Sequence, residues 1–153
     1  MQVEIKADER LDDLELKGLK IIQDPSKFCF GIDAVLLSAF AKVKPGENVV
    51  DIGTGTGVIP LLLSAKTDAK YIKAVEIQPD MADMAKRSVL YNNLQDRIEI
   101  ICNDIKRADS FIKKSSVDVV VSNPPYIKSS HAITNPKDSL SLARHEIACT
   151  LED

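Results

Sequence analysis

From residue 48 onward the chain alternates short apolar runs with helical patterns, and that alternation leaves few folds open to it. Four runs have strand length: N-V-V-D-I (Asn48–Ile52), Y-I-K-A-V-E-I (71–77), I-E-I-I-C (Ile98–Cys102) and V-D-V-V-V-S (117–122). Between them 58–66 and 79–92 carry helical spacing, the second opened by Pro79, which a first helical turn tolerates. A short helix is expected after Asp104. Such an order predicts an α/β fold whose parallel sheet is covered by helices on both faces. In sheets of that kind ligands bind beyond the carboxyl ends of the strands. Ahead of the alternation, 14–16 and 19–22 read as a hairpin turning at Lys17-Gly18. Residues 32–41 place Val35, Leu36, Ala39 and Phe40 at helical spacing, and Pro45-Gly46 ends that unit. The expected organisation is therefore a hairpin and helix over 1–44, followed by strand–helix units over 45–153.

At 153 residues and 44% apolar content, the chain has enough material for one core. Its start, MQVEIKADER, has no apolar signal core, and no run approaches the ~18 apolar residues of a membrane span. The cytoplasm is the expected location. Cys29, Cys102 and Cys149 form no C-x-x-C, so buried reduced thiols are expected rather than a disulfide framework or a zinc site. His131 and His145 have no partner at metal or triad spacing, and no Ser-His-Asp or paired-carboxylate arrangement favours hydrolysis. A net charge of −3 argues weakly against nucleic acid, but the charge is unevenly spread. Residues 1–16 hold six acids against two bases, whereas 105–145 hold seven bases against three acids. The basic stretch is either a solvated face or a binding surface.

The residues that stand out lie at strand ends. The first strand runs into D-I-G-T-G-T-G-V, where Gly53, Gly55 and Gly57 let the backbone turn tightly and approach a ligand. The third glycine falls one position earlier than in the dinucleotide fingerprint, which suits a ligand with no pyrophosphate to seat. Any sharp strand-to-helix turn could use these glycines too. Glu76 ends the second strand, where it is either a solvated acid or an acceptor for both hydroxyls of a ribose. Asp104 follows the third strand, as a helix N-cap, an acceptor for an adenine amine, or both. With Asp51, these acids beside a glycine loop compose a nucleoside pocket.

The fourth strand stops at N-P-P-Y. The Asn123 amide both donates and accepts, the prolines hold the Pro124 carbonyl as a second acceptor, and Tyr126 offers a flat face. Together they can grip a planar NH2 group, with two acceptors for its hydrogens and a ring for stacking. A rigid exit loop would account for Pro-Pro but not for the residues on either side.

These motifs resemble the class I S-adenosyl-L-methionine-dependent methyltransferases, with D-I-G-T-G-T-G as the cofactor loop and N-P-P-Y as the amino-methylating signature. The resemblance is closest to the bacterial tRNA1(Val) adenine-N6 methyltransferase family, through L-K-I-I-Q, F-G-I-D-A-V-L-L-S-A-F, V-E-I-Q-P-D-M-A-D-M-A-K-R-S-V-L-Y-N-N-L and L-A-R-H-E-I. It implies that Asp51, Gly53, Gly55 and Gly57 floor the cofactor site, that Glu76 holds the ribose and that Asp104 holds the adenine. It assigns the target base to Asn123, Pro124 and Tyr126, and the methionine end of the cofactor to 30–33, including Asp33. The implied substrate is the adenine 3′ of the anticodon in a valine tRNA, with no membrane and no metal involved. Release-factor glutamine methyltransferases share N-P-P-Y but usually carry a helical domain ahead of the cofactor loop. A non-catalytic nucleoside- or RNA-binding module is the alternative from another class. Only four of that family's seven strands are expected here, so the 153-residue chain by itself is expected to be inactive and prone to self-association.

Overall fold

A computed structural model describes residues 3–124 of the chain. Two strands, β1 (Arg10–Asp13) and β2 (Lys20–Gln23), form an antiparallel pair, and α1 (Ile32–Phe40) follows. Then come β3 (Asn48–Ile52), α2 (Val58–Lys66), β4 (Tyr71–Glu76), α3 (Pro79–Tyr91), β5 (Ile98–Cys102), a 3-10 turn (Ile105–Ser110) and β6 (Val119–Ser122). The last four strands make a parallel sheet in the order β5-β4-β3-β6. The β3–α2–β4 and β4–α3–β5 crossovers both step the same way across it, so right-handed connections put α2 and α3 on one face.

The core sits on that face. Val49, Ile72, Ala74, Ile98, Ile100 and Val121 pack against Ile59, Leu61, Leu62 and Leu63 of α2 and Ala82, Ala85 and Val89 of α3, while α1 packs on α2. The other face carries, among the described residues, only the segment around the 3-10 turn. Its central row, Val50, Lys73, Glu99 and Val120 by register, is polar at two of four positions, and Val120 is 60% exposed. Among the described residues it is met near its middle by the segment after the 3-10 turn, where Lys73 Nζ donates to the Phe111 carbonyl at 3.2 Å. Strand β5 alternates Ile98 and Ile100 inward with Glu99 outward, the pattern of a half-covered strand.

The hairpin also departs from expectation. Its first strand is R-L-D-D, not L-E-L, and residues 14–19 form the connection, with Glu15 and Lys17 at positive φ (52° and 50°). Three charged residues in four argue against a strand by propensity, but local pairing supplies partners: Arg10 Nε and Gln23 Nε2 donate to Asp12, and Lys20 bonds Asp13. Strand β6 begins two residues later than expected, and just ahead of it Asp118 pairs with Asn48, its N–H donating to the Asn48 carbonyl at 2.9 Å and its carboxylate accepting from the Asn48 N–H at 2.8 Å.

The N-terminal segment and the hairpin are fastened to α3. Arg87 donates to both Glu9 oxygens at 2.6 and 2.5 Å and to Asp83 at 2.8 Å, and Lys6 pairs with Asp83 at 2.7 Å. Asn92 continues the β2 edge with its side chain, accepting from the Lys20 N–H and donating to the Lys20 carbonyl. Both described cysteines are free; Cys29 is half-buried and Cys102, expected to be buried, is exposed at the end of β5. Among the described residues no helix is long and apolar enough to cross a membrane.

Candidate functional site

A pocket opens at the carboxyl ends of the parallel strands. Its lining includes Gly53 and Gly55 after β3, Glu76 at the end of β4 with Gln78 beyond it, Asn103 and Asp104 after β5, and Asn123 and Pro124 after β6, with Phe28 and Phe30 from the loop ahead of α1. Four consecutive strand ends thus converge on one cavity, as the sheet geometry predicts.

The glycine loop is anchored to the neighbouring strand. The N–H groups of Gly53 and Thr54 both donate to the Val75 carbonyl, at 2.9 and 3.0 Å. Gly55, at φ 60°, presents its N–H to Glu76 Oε2 at 2.8 Å, with only the Met81 methyl near the place a Cβ would take. Gly57 does different work. It is the left-handed residue before α2, at φ 88°, and a Cβ there would lie 3.1 Å from Ala85 Cβ, so it sets the close approach of α2 to α3 and does not line the pocket.

Glu76 is 5% exposed and held from both sides: Oε2 by Gly55 and Oε1 by the Gln78 N–H at 2.9 Å. Burial raises its pKa, and the N–H groups of Gln78, Gly55 and Ile77 oppose the rise. Each oxygen retains acceptor capacity, so a pre-positioned carboxylate faces the cavity with room for two further donors. Asp104 is the N-cap of the 3-10 turn, accepting from the Lys106 N–H at 3.0 Å through Oδ1, and it also lines the pocket.

Asp51 is the fourth residue of β3. It is fully buried beneath the loop, does not line the cavity, and neither carboxylate oxygen has a hydrogen-bond partner; the Thr54 hydroxyl is likewise unsatisfied. Burial pushes its pKa up to about 7, with the Thr54 hydroxyl pulling down and the Glu76 charge pushing up. A buried acid behind a cavity wall favours a cationic or donor-rich ligand on the other side.

At the far wall, Ser122 Oγ donates to the Ile52 carbonyl at 3.0 Å and Asn123 Nδ2 donates to Asp33 Oδ2 at 2.7 Å. Asp33 therefore stands beside Asn123 and is absent from the pocket lining, although Ala34 belongs to it. Tyr126, His131, His145 and Cys149 lie outside the described residues. Phe28, Gln78, Asn103 and Met81 line the pocket without a sequence signal of their own; position next to strand ends could have marked Gln78 and Asn103, but not Phe28 in the loop ahead of α1 or Met81 inside α3. Among the described residues no group of three or more His, Cys, Asp or Glu is placed to hold a metal.

The residues present fit a nucleoside cofactor: a fixed, buried carboxylate for hydroxyl donors, a second carboxylate at the next strand end, and apolar side chains between them. A curated protein of Phocaeicola vulgatus, a tRNA1(Val) (adenine(37)-N6)-methyltransferase, is 38% identical over 129 residues, covering 84% of this chain and 53% of its own length. Its namesake from Bacteroides thetaiotaomicron is 36% identical over 140 residues, covering 90% of this chain and 56% of its own. The chain thus spans about half the length of the curated relatives it matches. Among solved structures, a human methyltransferase 10 domain containing protein superposes with a TM-score of 0.59 at 23% identity, over 72% of this chain and 55% of that one. This likeness shows the fold alone, a parallel sheet flanked by helices. The family model of the methyltransferase small domain matches residues 19–140, most of the sequence, and the chain belongs to that family.

Proposed function

We propose that the whole protein transfers a methyl group from S-adenosylmethionine to the N6 amine of an adenine in tRNA, next to the anticodon of a valine tRNA. The observation that carries this reading is the convergence of Glu76, Gly55, Asp104, Asn123 and Pro124 on one pocket. That pocket joins a nucleoside-holding half to a pair of acceptors suited to an NH2 group. The names of the curated relatives supply the substrate, and they bear on this chain only through the shared half.

In this reading Glu76 accepts from the ribose hydroxyls, Asp104 accepts from the cofactor adenine, and Gly53 and Gly55 allow close backbone approach. Asp51 acts from beneath the loop as a buried negative potential, and Gly57 fixes the helix packing that shapes the wall. Residues 1–44 contribute the closing side through Phe28 and Phe30, and 45–153 contribute the strand ends. The protein works in the cytoplasm, where tRNA is found.

The cofactor, when bound, supplies a methyl group on a sulfonium, an electrophile needing only an aligned lone pair. An aromatic amine is a poor nucleophile because its lone pair is delocalised into the ring. Asn123 Oδ1 and the Pro124 carbonyl accept its two N–H bonds and favour a pyramidal nitrogen. Positive charge growing on that nitrogen as it is methylated would strengthen both hydrogen bonds. The stabilisation is therefore differential. The extra proton leaves to solvent, so no base of shifted pKa is needed. Tyr126 stacks on a base that has been splayed out of its RNA loop.

The test is mass spectrometry of nucleosides from unmodified tRNA incubated with the whole protein and S-adenosylmethionine. N6-methyladenosine is expected. Unmodified tRNA, with methylated glutamine in a release factor offered in parallel, would overturn the reading.

A further inference from the structure

The hydrogen bond from Asn123 Nδ2 to Asp33 Oδ2, 2.7 Å long, joins residues ninety positions apart and decides something the N-P-P-Y motif leaves open. A side-chain amide can enter a pocket with either its oxygen or its NH2 foremost, and only the oxygen can accept from a substrate amine. An ionised carboxylate has acceptors only, so the group it holds must be the NH2. With Nδ2 committed to Asp33, Oδ1 is left for the pocket that Asn123 lines.

The carboxylate is itself held in place by local structure. Asp33 is the second residue of α1, where the first-turn N–H groups and the helix dipole favour an acid. The helix is preceded by Gly31, whose missing side chain matters: a Cβ there would lie 2.7 Å from Asp33 Oδ1. The Gly31 backbone is at φ −111°, which any residue adopts, so space rather than conformation calls for glycine. The loop before it is tied to β2, since buried Gln23 accepts from the Phe30 N–H at 3.2 Å.

We propose that Asp33 is the positioning residue for the amine-gripping amide: Gly31 makes room for its carboxylate, and the carboxylate orients Asn123 so that Oδ1 faces the substrate. This rests on the methyl-transfer reading above, and it moves Asp33 from the methionine end of the cofactor to the amine-binding wall. Asp33 acts through Asn123 and touches neither reacting atom.

The test is a double-mutant cycle in the whole protein with tRNA and S-adenosylmethionine. Asp33→Ala should lower kcat roughly 10-fold while the calorimetric Kd for S-adenosylmethionine stays within about twofold. In an Asn123→Ala background the same substitution should have no further effect, because its route is already cut. Gly31→Ala should reproduce the kcat loss with the carboxylate still present, its melting temperature close to wild type. Additive losses in the double variant, or a weakened Kd with normal saturated turnover, would overturn the proposal and return Asp33 to the cofactor. A readout independent of activity is the side-chain amide signal of Asn123 in a 15N-labelled protein. Asp33→Ala should shift it and speed its exchange, and an unchanged signal also overturns the proposal. If wild-type protein methylates no tRNA, the functional reading falls, and the amide signal still decides whether Asp33 orients Asn123.

Discussion

Replacing Asp51 with Asn should alter the pH dependence of stability in a direction fixed by the structure. Asp51 is completely buried with neither oxygen hydrogen-bonded, and burial raises its pKa from 3.8 to about 7. Because the folded-state value lies above the unfolded one, the two states bind the same number of protons only well below the unfolded-state pKa of 3.8. Between pH 4 and 7 the unfolded chain releases the proton first, so stability falls as pH rises and is lost in full above the folded-state pKa. A rise of this size corresponds to roughly 4 kcal/mol, and relaxation around the site lowers what is measured to on the order of 2 kcal/mol. Asn cannot ionise, so the variant lacks this slope. The new amide brings its own pH-independent cost for a buried NH2 group, which the comparison across pH removes. Glu76, also raised by burial, adds a slope of the same sign to both proteins. Urea unfolding of the ligand-free whole protein from pH 4.5 to 8 is the assay. The stability of Asp51→Asn relative to wild type should improve from pH 4.5 to about 7 and level off above that. Parallel curves, or a variant that falls further behind as pH rises, would refute the account of Asp51 as a buried acid without a partner.

Three further outcomes follow from the packing. Arg87→Ala should cost on the order of 2 kcal/mol by stranding Glu9, whose side chain is 7% exposed. The Arg87 hydrogen bond depresses the pKa of Glu9, so this contribution should be present at neutral pH and vanish as pH falls below 4.5, as denaturation series of both proteins would register. Gly57→Ala combines a left-handed backbone with a 3.1 Å approach to Ala85 Cβ, and should destabilise by about 1–2 kcal/mol in the same assay. Residues 1–153 made alone should self-associate, because among the described residues β6 pairs only with β3, Val120 is exposed, and Ile32, Leu36 and Phe40 form an outward stripe on α1. A monodisperse monomer by light scattering would contradict that reading.

The parallel sheet was legible because its strands are short apolar runs punctuated by glycine, proline and charge. Asn48–Ile52, Val58–Lys66 and Ile98–Cys102 stand where the pattern puts them. Strand β1 was not legible, since R-L-D-D becomes a strand only through Lys20 and Gln23 of its partner. The polar row on the second sheet face could have been suspected from Glu99 inside an apolar run, but not placed, because the rows that line up across the sheet depend on strand order. At the site, strand-end position identified Glu76, Asp104 and Asn123 as pocket residues. It could not reveal that Asp51 lies beneath the loop, or that Asp33 meets Asn123 across ninety residues. Those facts belong to tertiary packing, which no local spacing encodes.

The central claim is that one pocket holds the cofactor with Glu76 and the target amine with Asn123. Its most direct test is Asn123→Ala in the whole protein, with the Kd for S-adenosylmethionine and kcat on tRNA measured on the same preparation. The account predicts a Kd within about tenfold of wild type and a kcat lowered roughly 100-fold or more, the usual loss for a group that acts mainly in the transition state. Near-normal turnover, or a loss confined to cofactor affinity, would contradict it.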